Sequence, residues 1–224
     1  MDKYSLSSRR ALFHLIAAVI ALLLTVLIVW ASSGLPAGKA VRLFDGKTFK
    51  GWEGDQKVFR IEDGAIVGGS LNAPLARNEF LCTTRDFTDF VLRLKFKVLG
   101  KGANAGVQFR SRRIPNNNEV IGYQADLGDK YWGALYDESR RKVILARPDD
   151  ALIDRILKRD DWNDYEIRAE GRRVRLGING HETVDYTEKE DGLTETGCIC
   201  LQIHGGPPSE ARYKEIIIEE LPNK

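Results

Sequence analysis

From Val41 to the C-terminus, apolar and polar residues alternate one by one, the period of strands with one buried face. Residues 90–98 show it most plainly: Phe90, Leu92, Leu94, Phe96 and Val98 share one face, and Arg93, Lys95 and Lys97 the other. Residues 106–110 repeat it, with Val107 and Phe109 inward and Gln108 and Arg110 opposite. Residues 173–178 do the same, and Asn179-Gly180 then predicts a type I′ hairpin turn. In 198–204, Ile199, Leu201 and Ile203 point inward, and 216–218 close the chain as a final strand. Shorter runs at 59–61, 65–67, 123–127, 133–136, 143–146 and 165–169 bring the count to ten or more strands. Helical spacing fits only 149–158, with Asp149 or Asp150 as N-cap. Many short strands and one helix predict an all-β body, a jelly-roll sandwich of two antiparallel sheets.

The front of the chain follows a different pattern. Residues 11–31 are 21 uncharged, almost wholly apolar residues, long enough to cross a hydrocarbon core. Lys3, Arg9 and Arg10 precede the run, which predicts a cytoplasmic tail at 1–10, one transmembrane helix at 11–31 and an extracytoplasmic body. A cleaved signal peptide is the rival reading, with Ala31-Ser32-Ser33 as the cleavage region; the length of the run favours an uncleaved anchor. Residues 32–40 form a short Ser/Gly/Pro linker, and 41–222 a single domain.

Charge then narrows the partners. Residues 1–40 carry four basic residues and one acid, leaving 30 basic and 31 acidic residues in the rest. A near-neutral body without a basic block argues against nucleic acid. Three cysteines exclude a disulfide-stapled scaffold. Cys198 and Cys200 stand too close along one strand to bridge each other, and Cys82 is distant in sequence. No His/Cys cluster offers metal-ligand spacing, and no cofactor fingerprint is present, so neither is assigned.

The candidate chemistry sits at outward-facing positions. Gln108 and Arg110, then Gly122, Gln124 and Asp126, then Gln202 and His204 share faces in that order. Donors and acceptors of moderate length on neighbouring strands suit a hydroxyl-rich ligand. Tyr123, Tyr131, Trp132, Tyr136 and Trp162 are available as platforms for sugar C–H faces. His204, at a strand end before Gly205-Gly206, is the candidate proton carrier.

Longer motifs carry a resemblance. The chain reads Leu43-Phe44-Asp45-Gly46-Lys47-Thr48, Gly51-Trp52, Ile61-Glu62-Asp63-Gly64 and Phe87-Thr88-Asp89-Phe90. Asn104-Ala105-Gly106-Val107-Gln108-Phe109-Arg110, Gly122-Tyr123-Gln124, Trp162-Asn163-Asp164-Tyr165 and Leu201-Gln202-Ile203-His204-Gly205 follow. In this order they resemble the 3-keto-disaccharide hydrolase family over 43–221. The resemblance implies a concanavalin-like jelly roll that cleaves glycosides already oxidised at C3, by elimination–hydration or net hydrolysis. It also implies a sugar 3-dehydrogenase that supplies the substrate. Carried onto this chain, it implies His204 as acid or base, Arg110 facing the enolate oxygen, and Asn104, Gln124 and Gln202 on the sugar; the polar face adds Gln108, and the aromatic platforms Tyr136 and Trp132, as substrate-binding candidates. Gly122 stands where the family often has glutamate, so Asp126 or Glu138 is expected to supply that carboxylate. The alternative is a non-catalytic carbohydrate-binding module using the same groove.

Overall fold

The computed structural model describes residues 38–193 and 195–222. The anchor expected at 11–31, the tail before it and most of the linker lie outside the described residues. Among the described residues no helix is long and apolar enough to cross a membrane.

The described chain forms fifteen strands and one helix. In order these are β1 (Val41–Arg42), β2 (Trp52–Glu53), β3 (Phe59–Glu62), β4 (Ala65–Ser70), β5 (Glu79–Thr83), β6 (Phe90–Leu99), β7 (Asn104–Arg113) and β8 (Val120–Gly128). There follow β9 (Leu135–Glu138), β10 (Ile144–Ala146), α1 (Asp150–Ile156), β11 (Asn163–Glu170), β12 (Arg173–Ile178), β13 (His181–Thr187), β14 (Cys198–Ile203) and β15 (Ser209–Glu220). One sheet has the order β13-β12-β11-β6-β15-β4-β3, with β1 also on β15; the other runs β10-β9-β8-β7-β14-β5-β2. The result is the all-β, two-sheet antiparallel sandwich that the alternation predicts.

The alternation works because the two inner faces bury against each other. Phe90, Leu92, Leu94 and Phe96 of β6 and Tyr165 and Ile167 of β11 meet Val107 and Phe109 of β7, Ala125 and Leu127 of β8, and Leu201 and Ile203 of β14. Helix α1 is capped by the Asp149 carboxylate, which accepts from the Ala151 N–H, and it buries Ile153 and Ile156. The Asn179-Gly180 turn has both φ angles positive, 50° and 80°, as a type I′ turn requires. Besides the two-residue β1 and β2, two longer strands escape the alternation rule. β5 is buried at every position, so no polar face marks it. β13 is an edge strand of mixed exposure. The last strand is also longer than its apolar triplet, because a bulge at Glu215 (φ 53°) interrupts its period.

A second bulge corrects the sequence reading. Cys198 and Cys200 of β14 pair with Ser111 and Gln108 of β7, and Tyr123 and Ile121 of β8 pair with Phe109 and Arg112. On both sides β7 carries one residue too many, and Arg110 absorbs it at φ 47°. Gln108 and Arg110 therefore do not share a face. The Arg110 side chain, 4% exposed, donates from Nη2 to Asp89 Oδ1 at 2.7 Å, from Nε to the Thr88 carbonyl at 2.8 Å and from Nη1 to the Gly171 carbonyl at 2.6 Å. Asp89 Oδ1 also accepts from the Gly171 N–H at 2.9 Å. Arg110 thus ties β7 of one sheet to the start of β6 and the β11–β12 turn of the other.

The cysteines are a further correction. Cys82 of β5 and Cys200 of β14 are direct cross-strand partners and form a disulfide across 118 residues. Cys198 stays a free thiol, its Sγ 3.4 Å from Cys200 Sγ and donating to the Ser111 carbonyl at 3.1 Å. Burial pushes that thiol up to about 11, which leaves it a poor nucleophile. All three sulfurs lie within 4.8 Å of one another, a cluster that their spacing in the sequence does not announce.

Removing one member of a buried ion pair leaves the other charge without compensation. Asp89→Ala is expected to lower stability by about 3–5 kcal/mol, whereas Glu166→Ala, which breaks an exposed pair with Arg93, should cost less than about 1 kcal/mol. Urea denaturation of both variants checks this; equal losses would show that Arg110 clamps nothing.

Candidate functional site

On the first sheet the outward positions of β6 are wet, as expected of a sandwich; Arg93, for instance, is exposed. On the second sheet they are not. Gln108 and Gln202 are fully buried, and Gln124 and Asp126 keep only 3% and 4% exposure. Polar side chains this dry need partners or a ligand.

Gln124 and Asp126 floor a cavity of about 180 Å³ whose lining is completed by Asn78, Asn104, Tyr131, Tyr136, Glu138 and His204. A water occupies about 30 Å³ in the liquid, so the space suits one small polar ring. A larger groove of about 590 Å³ crosses the outer face of the first sheet. Its charged side chains are exposed and satisfy one another, as Arg93 does with Glu166 and Lys95 with Asp164. The smaller cavity is the better candidate because its polar groups are desolvated and converge.

Register explains the convergence. Gly106 pairs with Gln202 on one side and Asp126 on the other, Gln124 pairs with Tyr136, and Gly122 with Glu138. His204 follows β14, its N–H donating to the Asn104 carbonyl at 3.0 Å. Two glycines make room. A Cβ on Gly106 would come within 2.6 Å of the Gln124 side chain, which lies across it. A Cβ on Gly122 would come within 2.3 Å of Ser111 Oγ, so Ser111, turned outward by the β7 bulge, excludes any side chain at 122.

The floor is a directed chain of hydrogen bonds. Ser111 Oγ donates to Gln108 Oε1 at 3.1 Å, Gln108 Nε2 to Gln124 Oε1 at 2.5 Å, and Gln124 Nε2 to Asp126 Oδ1. Burial pushes the Asp126 carboxyl up to about 8, against the Gln124 hydrogen bond and helped by the Glu138 charge. Asp126 is therefore largely a neutral acid at pH 7. Burial also raises Glu138, with the Glu119 charge adding to it and His204 opposing it. His204 Nδ1 lies 2.6 Å from the Gly205 carbonyl. A carbonyl only accepts, so Nδ1 carries a proton and the neutral ring keeps its lone pair on Nε2. Asn104 Oδ1 is buried and without a protein partner.

Of the residues singled out in the sequence, His204, Asp126, Glu138, Gln124, Asn104 and Tyr136 line this cavity. Gln108 supports it from below. Gln202, expected on the sugar, does not line it: the residue is fully buried, paired with Phe80 and Gly106, with neither amide atom hydrogen-bonded. Arg110 is not part of it, being committed between the sheets. Trp132 stacks on Phe96, ring centroids 6.2 Å apart, and lines a neighbouring groove instead. Asn78 enters unannounced: it precedes β5 in a segment without pattern, and only its Oδ1, accepting from the Gly205 N–H at 3.0 Å, shows its place.

A carboxyl raised by folding favours the folded state below its unfolded value of 3.8 and loses that advantage as pH climbs toward 8. Asp126→Asn removes the penalty while keeping an acceptor for Gln124. Its stability relative to the parent should rise by roughly 3–6 kcal/mol between pH 4 and pH 8. A pH-independent difference in urea denaturation would show Asp126 titrating normally.

Comparison with known proteins follows the same lines. A profile of the family described as 3-keto-alpha-glucoside-1,2-lyase-like domain matches residues 39–219. The 3-keto-disaccharide hydrolase of Bacteroides thetaiotaomicron is 26% identical over 168 residues, 65% of this chain and 58% of that protein. The chain thus matches less than two thirds of that relative's length. A crystal structure from Parabacteroides distasonis, provisionally classed as a glycosyl hydrolase, has TM-score 0.62 at 20% identity, covering 83% of this chain and 94% of its own. The carbohydrate binding module CBM66 of Bacillus subtilis has TM-score 0.58 at 13% identity, covering 76% and 96%. At these identities the two structures establish a common fold.

Proposed function

The chain belongs to the 3-keto-alpha-glucoside-1,2-lyase-like family, and from that premise we propose that its polar cavity cleaves glycosides carrying a ketone at C3. The observation that supports this most is that one cavity holds both His204, whose Nδ1 is tied to the Gly205 carbonyl so that Nε2 is the nitrogen left for substrate, and Asp126, a carboxyl that burial pushes up to about 8. A C3 ketone acidifies the hydrogen on C2. His204 Nε2 takes that proton, and the electron pair moves into the enolate. The Asp126 O–H donates to the developing enolate oxygen, the part the family resemblance gives to Arg110. The enolate then expels the C1 oxygen, which takes the proton that His204 has carried from C2, while Glu138, its carboxyl raised by burial, lines the same cavity. Water adding across the C1–C2 double bond completes net hydrolysis. Asn104, Gln124 and Tyr136 hold sugar hydroxyls, and no paired-carboxylate geometry of ordinary glycosidases is needed.

We also propose that the domain stands outside the cytoplasm, anchored by residues 11–31 and supplied by a sugar 3-dehydrogenase. The Cys82–Cys200 disulfide supports the placement, since such bonds persist in oxidising compartments. Protease added to intact cells should digest the domain; protection would place it inside.

For the chemistry, a 3-keto-glucoside with a chromogenic leaving group is offered to the parent and to His204→Ala, with and without a chelator. The parent should turn over and the variant lose about 10²-fold or more in kcat. The parental rate should also decline as pH rises through about 8, where Asp126 ionises. Saturable binding without turnover in the parent would favour the carbohydrate-binding module instead.

A further inference from the structure

Three sulfurs meet on the outer face of the second sheet. Ile199 and Leu201 of β14 and Leu81 of β5 belong to the core between the sheets, so Cys198, Cys200 and Cys82 point the other way. Cys82 and Cys200 are register partners, and all three sulfurs lie within 4.8 Å of one another. Side chains two apart on a flat strand are rooted about 6.8 Å apart. The register between β14 and β7 shifts between Cys198 and Cys200, and there the two sulfurs close to 3.4 Å. Phe80 and Val120 complete the cluster. Cys82 and Cys200 are fully buried, and Cys198, 8% exposed, is the edge nearest solvent.

A buried cysteine on its own packs as a small hydrophobe, and a third sulfur adds nothing to the cross-link beside it. Three convergent sulfurs are a donor set. Three sulfurs bound at about 2.3 Å in one plane around an ion stand about 4.0 Å apart. Opening Cys82–Cys200 separates its two sulfurs to van der Waals contact, which brings the cluster close to that spacing. Sulfur ligands of this kind select soft ions. Among the described residues no histidine or carboxylate joins the cluster, and its other members are apolar. Structural zinc completes a tetrahedron with a fourth ligand; three sulfurs in an apolar setting suit copper(I) better.

We propose that Cys82, Cys198 and Cys200, once reduced, form a three-sulfur site for copper(I), and that the disulfide and the copper complex are its two exclusive forms. A dithiol opens the site: the disulfide takes up two electrons and two protons to give two thiols, and the dithiol closes into its own cyclic disulfide. Copper(I) then displaces thiol protons to solvent and keeps its oxidation state. The disulfide is the form that persists in an oxidising compartment, and the copper complex is the form of reducing conditions.

For the test, the full chain is reduced with a dithiol, desalted without oxygen and titrated with copper(I) against a chromophoric copper(I) chelator. The reduced parent should take up one equivalent, with three sulfur neighbours in its X-ray absorption spectrum. The unreduced parent, left with Cys198 alone, and reduced Cys198→Ser should each bind about 10²-fold more weakly. Cys198→Ser keeps both disulfide partners, so its fold is verified in the oxidised state first. Copper(I) should also raise the Tm of the reduced parent and leave that of reduced Cys198→Ser unchanged. This thermal readout separates a site in the folded sheet from the thiols of an unfolded chain. Equal affinity in Cys198→Ser, nitrogen or oxygen neighbours around the metal, or uptake without a rise in Tm would overturn the site. Displacement of copper(I) by zinc would overturn the choice of ion.

Discussion

One extra residue in β7 organises much of this molecule. A side-chain period of two means that a single insertion exchanges the faces of everything beyond it. At Arg110 the exchange sends a guanidinium between the sheets, where Asp89 and two carbonyls satisfy it. It sends Ser111 the other way, onto the outer face, where it starts the hydrogen-bond chain through Gln108 and Gln124 to Asp126. The left-handed backbone at Arg110 is strained for a residue with a side chain, and the buried ion pair offsets that strain.

The hydrogen-bond chain in turn fixes the character of the cavity. Gln108 and Gln124 orient each other, so Gln124 presents its N–H to Asp126. That bond favours the ionised carboxyl, but burial outweighs it and Asp126 keeps its proton near neutrality. His204 is fixed by a different device, a backbone carbonyl that leaves only one ring nitrogen basic. Asp126 on β8 and His204 just after β14 are separated by β7 in the sheet, and their side chains line the same cavity, which suits acid and base work on one sugar.

The cysteines illustrate what sequence distance hides. Cys82 and Cys200 are separated by 118 residues, yet β5 and β14 are hydrogen-bonded neighbours in which the two residues face each other. β5 carries no alternation because both its faces are covered, so nothing in the linear pattern brings Cys82 near β14. Asn78, just before β5, was illegible for the same reason, while Tyr131, which lines the cavity, was legible only as one of five aromatic platforms.

Local sequence determined the fold class, the inward set on β6, β7 and β14 and the Asn179-Gly180 turn, and it narrowed the helix cap to Asp149 or Asp150, because these depend on local period, turn residues and capping chemistry. It also placed Gln124, Asp126 and His204 on outward positions, and the motifs added Asn104, Tyr136 and Glu138. The tertiary structure decided which of these meet. Strand order set His204 beside Asn104 and Glu138 beside Gly122, and the bulge removed Arg110 from the face its neighbours suggested. A bulge leaves no mark in a two-residue period until the partner strands impose their register, and desolvation exists only once the sheets are stacked. Those two effects, register and burial, turned a list of polar residues into a site.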